Sequence, residues 1–600
     1  MIIADYLERD LTTLRVPHSW SNVAGPPRFL LRAESVASSK IEGLDAGPRQ
    51  RNAPGAERLA HGIGPGTVAE RERAVNYSDW FLSAEERGNP ATDLDRRHDG
   101  VAWTTGNLVI PLVHGRHYFA RLYEVLMETV ADDVVLFTDW RGDPDERLAG
   151  PGTEVANVLA GIAERGVRVR GLLWRSHPDV TRFSEEENRD LAQSVNAAGG
   201  EVLLDERVRR AGSHHQKLFV VLHPGRPSMD VGFVGGIDLG HGRNDDEHHA
   251  GDAQVVAMDR RFGPTPAWHD MQAEIRGPAV GDLAETFRER WNDPHPLTRR
   301  STPPRRQRGA PATRPEPMSS VRTEDATPGS HAVQILRTYP ARRAAYPFAP
   351  AGERSIARAY LKALRRARRL IYIEDQYLWS ADFAGALARS LDEQPRLRVA
   401  IVVPKFPDED GRLSGPPNRI GQLDVLRRLR AAGQSRVAIF NLERDHLPIY
   451  VHAKICIIDD VWMTIGSDNL NRRSWTHDSE LSCAVLDDTR DHRPPHDPGG
   501  LGDRARVLPR STRIALWQEH LEALDIPCDP DAGFEQLQSS ADVLDQWHAA
   551  GCEGQRPPGR LRNHRPQQIP PLQRGLARLT YRLVNDPDGR ALALRRRRSF

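Results

Sequence analysis

The chain has 600 residues, which is too long for one hydrophobic core, so at least two domains are expected. Its 83 Lys and Arg residues nearly balance 82 Asp and Glu residues, which argues against a dedicated nucleic-acid-binding protein. The spacing of the four cysteines matches neither a disulfide framework nor a set of metal ligands. The sequence shows no recognisable signal peptide and no apolar run long enough to span a membrane. We therefore expect a soluble, cytoplasmic protein.

Two stretches of the chain repeat the same order of elements. In the first, residues 101–292, an amphipathic helix near Tyr118–Ala131 leads into the apolar strand Val134–Trp140. In the second, residues 331–525, the helical pattern SIARAYLKALRRARRL leads into the strand Ile371–Leu378. Helices and strands alternate throughout, which is typical of sheets covered by helices. We therefore predict an α/β fold with two pseudo-symmetric α/β/α halves, whose mostly parallel or mixed sheets share one site at their interface.

Two further segments have the composition of linkers. Residues 66–100 are rich in charge, Gly and Pro, and residues 293–330 contain PHPLTRRSTPPRRQRGAPATRPEPMSS. We expect a linker in the first from its composition, and a disordered linker in the second, which cannot bury enough apolar surface to fold alone. Residues 1–65 contain PPRFLLRAESVASSKIEGL (Pro26–Leu44), which resembles the N-terminal region of Fic-type AMP-transferases. Because their catalytic motif HPFx[DE]GNGR is absent from the sequence, we expect a remnant helix.

The C-terminal residues 526–600 are predicted to form a basic tail with one amphipathic helix. Its apolar positions follow a helical spacing of i, i+4, i+7 and i+11, and they are Leu572, Leu576, Leu579 and Leu583. Arginines lie between them, and RRRR follows at Arg595–Arg598. The segment either docks on anionic lipid or packs on the protein with a frayed charged end.

The second half carries the strongest chemical signal, a closely spaced set of polar residues and glycine. The set is His452, Lys454, Asp459, Gly466, Ser467, Asn469 and Glu480. His452 and Lys454 stand at i and i+2 on a strand, so they project from one face. Gly466 and Ser467 end the next strand in a turn whose amides and hydroxyl are predicted to bind an anion. Histidine, lysine and amide groups facing one point are suited to phosphoryl transfer.

The first half repeats this pattern with His215 and Lys217, followed by Gly235, Gly236 and Asp238. Two such sites fused in pseudo-symmetry place their histidines on opposite sides of one pocket. That arrangement permits a two-step reaction, in which one histidine attacks and the other donates and then accepts a proton.

The spacing H-x-K-(x)4-D followed by G-S-x-N resembles the signature of the phospholipase D superfamily. Further segments are similar to its phosphatidylcholine-cleaving branch, namely FVGGIDL, WHDMQAEIRGPAV, IYIEDQYL and GSDNLNRRSWTHDSEL. The resemblance covers roughly residues 101–525. It implies a phospholipase D that hydrolyses glycerophospholipid headgroups to phosphatidic acid through a phosphohistidine, with transphosphatidylation. It implies no cofactor and no metal.

The resemblance also assigns roles to residues. A carboxylate on the strand after each motif is expected to orient a histidine, Glu480 for His452 and Asp270 for His215. His215 is expected to attack phosphorus while His452 protonates the leaving alcohol. The residues expected to hold the phosphate are Lys217, Lys454 and Asn469.

The first half departs from the family pattern at two positions. Leu222 stands where the second half has Asp459, and Asp230 can replace that carboxylate only if the intervening hairpin folds back. Asp238 stands where the second half has Asn469, and its charge opposes a phosphate unless it is hydrogen-bonded outward. We still expect the first motif to be active.

Several alternatives remain open. A phosphatidyltransferase such as cardiolipin synthase, a nuclease-type phosphodiesterase and a non-enzymatic lipid-binding module with a degenerate first site all share parts of the pattern. The segment DDEHHAGD (Asp245–Asp252) is expected to be a solvated loop at the pocket mouth, and metal ligation is its alternative. We expect a monomer whose partner is a phospholipid membrane surface, bound peripherally, and no nucleic acid.

Overall fold

The structure is a computed structural model that describes residues 75–96, 100–175, 185–297, 316–320, 329–408, 415–597 and 599–600. The Fic-like segment Pro26–Leu44 lies outside the described residues, as does most of the predicted linker 293–330. Residues Asn76–Phe600 form one unit that contains both halves of the repeat.

The first half is built on a mixed sheet with helices between its parallel strands. Its elements, after the short helices α1 (Tyr77–Trp80) and α2 (Ala84–Arg87), are β1 (Thr104–Val113), α3 (Gly115–Met127), β2 (Val134–Asp139), α4 (Val155–Glu164), β3 (Arg168–Trp174), α5 (Glu185–Ala197), β4 (Glu201–Asp205), β5 (Leu218–Leu222), β6 (Val231–Gly235), β7 (Trp268–His269), β8 (Met271–Arg276) and α6 (Ala279–Trp291). The strand order is β1-β8-β6-β5-β2-β3-β4, in which only β2, β3 and β4 run parallel to their neighbours in that group.

Apolar spacing explains how the helices cover this sheet. In α3, Tyr118, Leu122 and Val125 recur at helical intervals, and all three are buried. They pack in one core cluster with Phe137 of β2 and Phe219 of β5. The parallel pairs β2–β3 and β3–β4 are joined through α4 and α5, as parallel neighbours require a crossover.

The second half repeats the first strand by strand. Its elements are β9 (His331–Tyr339), β10 (Glu353–Arg354), α7 (Ser355–Arg366), β11 (Leu370–Glu374), α8 (Ala381–Glu393), β12 (Arg398–Val402), α9 (Gly415–Gly433), β13 (Val437–Arg444), β14 (Leu447–Pro448), β15 (Tyr450–Val451), β16 (Ile455–Ile458), β17 (Trp462–Gly466), α10 (Arg472–Thr476), β18 (Glu480–Asp487), α11 (Val507–Leu521), α12 (Pro530–Ala549), β19 (Leu561–Asn563), α13 (Pro571–Thr580) and α14 (Leu592–Arg597). The strand order is β9-β18-β17-β16-β11-β12-β13, with the parallel group at β11, β12 and β13. The predicted α/β fold with two pseudo-symmetric halves is confirmed, and both sheets are mixed.

The two halves are joined by backbone pairing at three places. Strands β1 and β9 are antiparallel neighbours, with Asn107 opposite His331. Strand β7 of the first half runs parallel to β15 of the second. A matching bridge joins His214 of the first half to Ser479 of the second. The last two contacts lie directly before the residues of the two predicted catalytic motifs.

Residues 75–96 differ from the linker that the sequence predicts for 66–100. Their polar residues include Arg87, whose guanidinium is buried and donates to Glu353 at 3.0 Å and to the backbone oxygen of Ile335 at 2.9 Å. Trp80 is also buried. At least one charged residue of this segment, Arg87, therefore forms a buried ion pair with the second half and does not face solvent.

The C-terminal residues also fold more fully than the predicted tail. Helix α12 begins at Pro530 with Asp529 as its capping residue, and it buries Phe534 and Leu537. Strand β19 then pairs antiparallel with β13, so that Leu561 lies opposite Leu442. The segment extends the second sheet by one strand.

Asp459, predicted as a catalytic residue, lies in the turn between β16 and β17. Its buried carboxylate accepts backbone N–H groups of Arg368 at 2.7 Å, Arg369 at 2.8 Å and Leu370 at 2.8 Å. Arg368 and Arg369 precede β11 and Leu370 is its first residue, so the carboxylate ties the hairpin to this central strand. These three contacts are structural, so they support a positioning role for Asp459, and its catalytic role stays a prediction.

The first half has a different residue, Leu222, at the position equivalent to Asp459. Leu222 is the last residue of β5 and pairs with Val134 of β2. The equivalent residue of the second half, Asp459, lies just after its strand. Asp230 accepts the N–H of His223 at 2.7 Å and closes its own hairpin. With Leu222 at this position, the first half lacks the hydrogen bonds that Asp459 makes in the second half. His215 and Lys217 of the first motif are still present.

Replacing Asp459 with alanine is expected to destabilise the protein without removing its chemistry. The buried N–H of Leu370 and the partly buried N–H groups of Arg368 and Arg369 lose their acceptor, at a cost of about 2–3 kcal/mol. Chemical denaturation monitored by circular dichroism measures the loss, and Asp424→Ala, an exposed aspartate, is the control with a change below about 0.5 kcal/mol. Loss of turnover in Asp459→Ala with unchanged unfolding would contradict the structural role.

Candidate active site

The two predicted catalytic histidines meet carboxylates of the opposite half. Nδ1 of His215 lies 2.8 Å from Oε2 of Glu480, and Nδ1 of His452 lies 2.6 Å from Oδ2 of Asp270. The predicted pairing of Glu480 with His452 and of Asp270 with His215 is therefore wrong, although the same four residues are brought together. Each histidine is oriented across the interface.

Backbone pairing between the halves explains this exchange. The N–H of His452 donates to the backbone oxygen of His269 at 2.7 Å, and Asp270 is the next residue. In the same way, the N–H of His215 donates to the backbone oxygen of Ser479 at 2.9 Å, and Glu480 is the next residue. Each histidine segment thus lies beside the carboxylate segment of the other half. A repeat in the sequence cannot distinguish this arrangement from pairing within one half.

The pair of His452 and Asp270 holds an ionised carboxylate. Although burial opposes it, the charges of His452 and Lys454 lower the pKa of Asp270 below its usual range. Asp270 also accepts Nε1–H of Trp268 at 3.2 Å and the N–H of Met271 at 2.8 Å. Burial and the neighbouring Lys454 lower the pKa of His452 to about 3. With Nδ1 bound to Asp270, Nε2 is the ring nitrogen left for a substrate.

The pair of His215 and Glu480 has a different electrostatic balance. Burial and the nearby Asp478 raise the pKa of Glu480 to about 8. Burial and the charges of Lys217 and Lys454 lower the pKa of His215 well below its usual value. Glu480 is thus a weaker counter-charge than Asp270, which favours a neutral imidazole with a free Nε2 lone pair at His215.

Two buried ammonium groups accompany the histidines. Lys217 and Lys454 are 1% and 2% exposed, and each donates from Nζ to the backbone oxygen of the histidine two residues before it, at 3.0 Å in the case of Lys217. Burial, together with the charge of Lys217, lowers the pKa of Lys454 to about 7. Two buried cations that repel each other form a site for an anion.

The glycine turns do not offer the amides that the sequence predicts. The N–H of Gly466 donates to the backbone oxygen of Lys454, and the N–H of Gly236 donates to that of Met271. The hydroxyl of Ser467 donates to Oε2 of Glu480 at 2.6 Å, and its N–H donates to the backbone oxygen of Leu481. Direct phosphate binding by Gly236, Gly466 and Ser467 is therefore wrong, because strand pairing uses these donors and Ser467 orients Glu480.

Close approach explains why these positions are glycine. A Cβ atom on Gly236 would lie 2.3 Å from Oδ1 of Asp270, and one on Gly235 would lie 2.3 Å from Oε1 of Gln272. The same atom on Gly466 would lie 1.9 Å from Oγ of Ser482. Gly235 pairs with Gln272 of the neighbouring strand β8, where a larger side chain would clash. Its predicted role in substrate binding is therefore replaced by a structural one.

Asn469 and Asp238 occupy equivalent positions with different surroundings. Asn469 is 4% exposed, and its Oδ1 has no hydrogen-bond partner among the described residues. Asp238 accepts Nε–H of Arg243 at 2.8 Å, and this guanidinium lies 4.2 Å from the ring centroid of Trp268. Arg243 therefore neutralises the carboxylate that otherwise opposes a bound phosphate.

Three residues that frame the site were missed from the sequence. Arg243 follows Asp238 by five residues, and a compensating charge at that distance was the available signal. Trp140 lies beside His215, with ring centroids 6.2 Å apart, and Trp268 lies beside His452 at 5.0 Å. Trp268 begins β7 two residues before Asp270, which was the signal for it, whereas Trp140 directly follows β2 and has no motif near it in the sequence.

The segment Asp245–Asp252 is only partly solvated, because Asp245, Asp246, His249 and Asp252 are buried whereas Glu247, His248 and Ala250 are exposed, so the prediction of a solvated loop is wrong for its buried residues. Its His249 joins a cluster around Glu519, with Nε2 of His249 at 3.0 Å and Nε2 of His114 at 2.9 Å from the carboxylate. Nδ1 of His269 lies 3.3 Å from the same group. These four side chains have a composition that can hold a metal ion, and hydrogen bonding around one carboxylate also accounts for the distances.

This cluster fixes the segment that carries Asp270. Nε2 of His269 lies 2.7 Å from Oε2 of Glu374, opposite its contact with Glu519. Although burial opposes it, these two carboxylates raise the pKa of His269 to about 10. An imidazolium held between two carboxylates restrains the residue whose backbone oxygen accepts the N–H of His452.

Two family models and several plant proteins are similar to this chain. A family model described as phospholipase D matches residues 143–385, and one described as cardiolipin synthase, phospholipase D-like domain, matches residues 360–492. Phospholipase D alpha 1 of Arabidopsis thaliana is 26% identical, over 79% of this chain and 74% of its own. The corresponding protein of Cynara cardunculus is 25% identical, over 69% of this chain and 66% of its own.

Among solved structures, the phosphatidylserine synthase of Haemophilus influenzae Rd KW20 is similar with a TM-score of 0.47 and 13% identity, over 74% of this chain and 94% of that chain. The chain spans about two thirds to three quarters of the length of the plant relatives. The two matched family segments overlap and together run from residue 143 to residue 492, which is more than half of the 600 residues. The chain belongs to the phospholipase D superfamily of phosphodiesterases.

Proposed function

We propose that the protein is a phospholipase D that hydrolyses the headgroup ester of a glycerophospholipid and releases phosphatidic acid. One observation carries this proposal. Two histidines, each held at Nδ1 by a carboxylate of the opposite half, accompany two buried lysines. These are the groups that a two-step phosphodiester cleavage requires, namely a nucleophile, an acid and base, and charge for the phosphate oxygens.

In the first step, Nε2 of His215 attacks phosphorus and forms a P–N bond. The bond from phosphorus to the headgroup oxygen breaks, and His452 gives that oxygen the proton from its Nε2. In the second step, Nε2 of His452 takes a proton from water, whose oxygen attacks phosphorus as the P–N bond breaks. Phosphatidic acid leaves and both histidines return to their starting state. An alcohol in place of water yields the transphosphatidylation product.

The electrostatic difference between the pairs supports this order of roles. Burial and Lys454 lower the pKa of His452 to about 3 in the free protein, so the imidazolium that acts as the acid is proposed to form when a bound phosphate adds its negative charge to that of the ionised Asp270. Glu480, with a pKa raised to about 8 by burial and Asp478, favours the neutral His215 that is needed for attack. Lys217, Lys454 and Asn469 are the proposed phosphate ligands.

A phosphatidyltransferase is the second candidate, favoured by the cardiolipin synthase-like match over residues 360–492. The first step is the same in both reactions, and the acceptor of the second step decides between them. With glycerol or phosphatidylglycerol present, a transferase yields the exchanged phospholipid in preference to phosphatidic acid, whereas a hydrolase yields phosphatidic acid from water.

Purified protein with mixed phospholipid vesicles and ethanol is expected to produce phosphatidic acid and phosphatidylethanol. His452→Ala is expected to lose both products, because the alkyl leaving group then lacks an acid and general acid–base catalysis contributes about 10²–10⁴-fold. Mass spectrometry of the lipids measures this. Turnover of bis-p-nitrophenyl phosphate without turnover of any lipid would move the substrate to another diester.

The same variant also tests which histidine attacks. p-Nitrophenolate needs no proton to leave, so His452→Ala is expected to release one burst equivalent and retain a phosphoryl group on the peptide of His215. His215→Ala is the matched control and is expected to give no burst. A burst in His215→Ala that is absent from His452→Ala would reverse the two roles.

The charge on Lys454 predicts a pH dependence. Since burial and Lys217 lower the pKa of Lys454 to about 7, the free enzyme loses this cation as the pH rises through that value. We expect kcat/KM to fall above about pH 7 and the fall in kcat to lie at higher pH, because bound phosphate stabilises the ammonium. Lys454→Arg is expected to move the fall in kcat/KM upward, since arginine stays charged. An unchanged fall in Lys454→Arg would contradict the assignment.

Peripheral membrane binding is proposed for the C-terminal helix α13 and the π-helical segment Tyr581–Asn585 that follows it. Its inner face is packed on the protein, where Ala577 and Tyr581 are buried and the hydroxyl of Tyr581 donates to the backbone oxygen of Trp379. Its outer face exposes Leu579 by 58% and Leu583 by 65% beside exposed arginines. No helix in the described part of the chain has both the length and the apolarity to cross a bilayer.

Replacing Leu579 and Leu583 together with glutamate is expected to weaken binding to anionic vesicles by at least about tenfold, because apolar burial and attraction to the lipid charge are both reduced. Vesicle flotation measures the bound fraction. Leu524→Glu, which alters a leucine that is 82% exposed elsewhere, is the matched control and is expected to bind normally. Equal binding of both variants would exclude this face as the membrane contact.

A further inference from the structure

A second group of potential ligands lies at the far edge of the second sheet, where β13 is followed by a tight turn to β14. His446 belongs to this turn, and His548 and Cys552 lie at and just after the end of α12. The three side chains come from two parts of the chain that are about a hundred residues apart in sequence, and all three keep some exposure to solvent. None of them belongs to the proposed phosphodiesterase site.

The distances in this group fit a tetrahedral metal site. Sγ of Cys552 lies 3.5 Å from Nδ1 of His548 and 3.8 Å from Nδ1 of His446. Bonds of about 2.3 Å from Zn²⁺ to sulfur and about 2.0–2.1 Å to nitrogen give a sulfur–nitrogen edge of about 3.5 Å in a tetrahedron. The three donor atoms all lie within 4.8 Å of one another.

The surrounding hydrogen bonds present the correct ring nitrogen of His548. Its Nε2 lies 2.7 Å from Oε1 of Glu443, whose other oxygen accepts Nη1–H of Arg562 at 2.7 Å. A carboxylate that already pairs with an arginine acts as an acceptor, so it takes the Nε2–H and leaves a lone pair on Nδ1. A carboxylate behind a histidine is the usual outer partner of a metal ligand.

Hydrogen bonds can also engage these atoms, with the Cys552 thiol donating to Nδ1 of His548 and Nδ1–H of His446 donating to Sγ. A metal ion instead binds all three donor atoms at once, at the distances given above. The backbone also presents the ligands in conformations that are uncommon for residues other than glycine, with φ of 70° at His446 and 62° at Cys552.

We propose that His446, His548 and Cys552 bind a divalent transition-metal ion of the Zn²⁺ class, with water in the fourth position. Binding converts the thiol to a thiolate and releases one proton to solvent. The ion fastens the end of α12 to the turn after β13, beside the place where β19 adds to the sheet. A soft thiolate with two imidazoles selects Zn²⁺ over Mg²⁺ or Ca²⁺.

Cobalt provides the decisive probe because its thiolate complexes absorb light by sulfur-to-metal charge transfer. Reduced, metal-free full-length protein titrated with Co²⁺ is expected to show this band at one equivalent, and added Zn²⁺ is expected to remove it. Binding at the buried cluster of His114, His249, His269 and Glu519 gives no such band, because that cluster contains no sulfur.

Cys552→Ser is expected to abolish the charge-transfer band, and His446→Asn is expected to weaken Co²⁺ binding by about 10-fold or more. Cys528→Ser is the matched control, since Cys528 is also a free, partly exposed cysteine outside the group, and it is expected to keep the band. Circular dichroism and turnover of bis-p-nitrophenyl phosphate check that each variant is folded. Absence of the band in the wild type, or its survival in Cys552→Ser, would overturn the proposal.

Discussion

The hydrogen bond from each histidine to a carboxylate of the opposite half is the interaction on which the site depends. His215 is bound by Glu480 and His452 by Asp270, so neither half contains a complete set of residues. The exchange follows from the parallel pairing of β7 with β15 and from the bridge between His214 and Ser479. Any change that separates the halves therefore removes the orientation of both histidines at once.

Desolvation sets the chemistry of the residues held in this way. Lys217 and Lys454 are buried together, and the pKa of Lys454 falls to about 7 because burial removes the water that solvates its ammonium group and because Lys217 repels it. Asp270 remains ionised, whereas burial and Asp478 raise the pKa of Glu480 to about 8. Two halves with the same strand order thus provide two electrostatically different histidines, which a reaction with separate attacking and proton-transferring groups requires.

Buried charge outside the site serves to hold segments together. Arg87 binds Glu353 and secures residues 75–96, and Asp459 ties the β16–β17 hairpin to the residues before β11. Local sequence alone predicts a linker for the first and a catalytic group for the second. Local composition does not reveal whether a charged side chain will find a buried partner, because that partner is set by the packing of distant elements.

The sequence by itself determined the alternation of helices and strands, the two-fold repeat, the family and the residues that meet in the site, because periodicity and motif spacing are local properties. Only the tertiary structure decided that Glu480 serves His215 and Asp270 serves His452, that Ser467 orients Glu480, and that Arg243 neutralises Asp238. These contacts join residues of different strands or halves, and their partners depend on which strand edges meet when the two sheets pack. Spacing along the chain does not encode that choice.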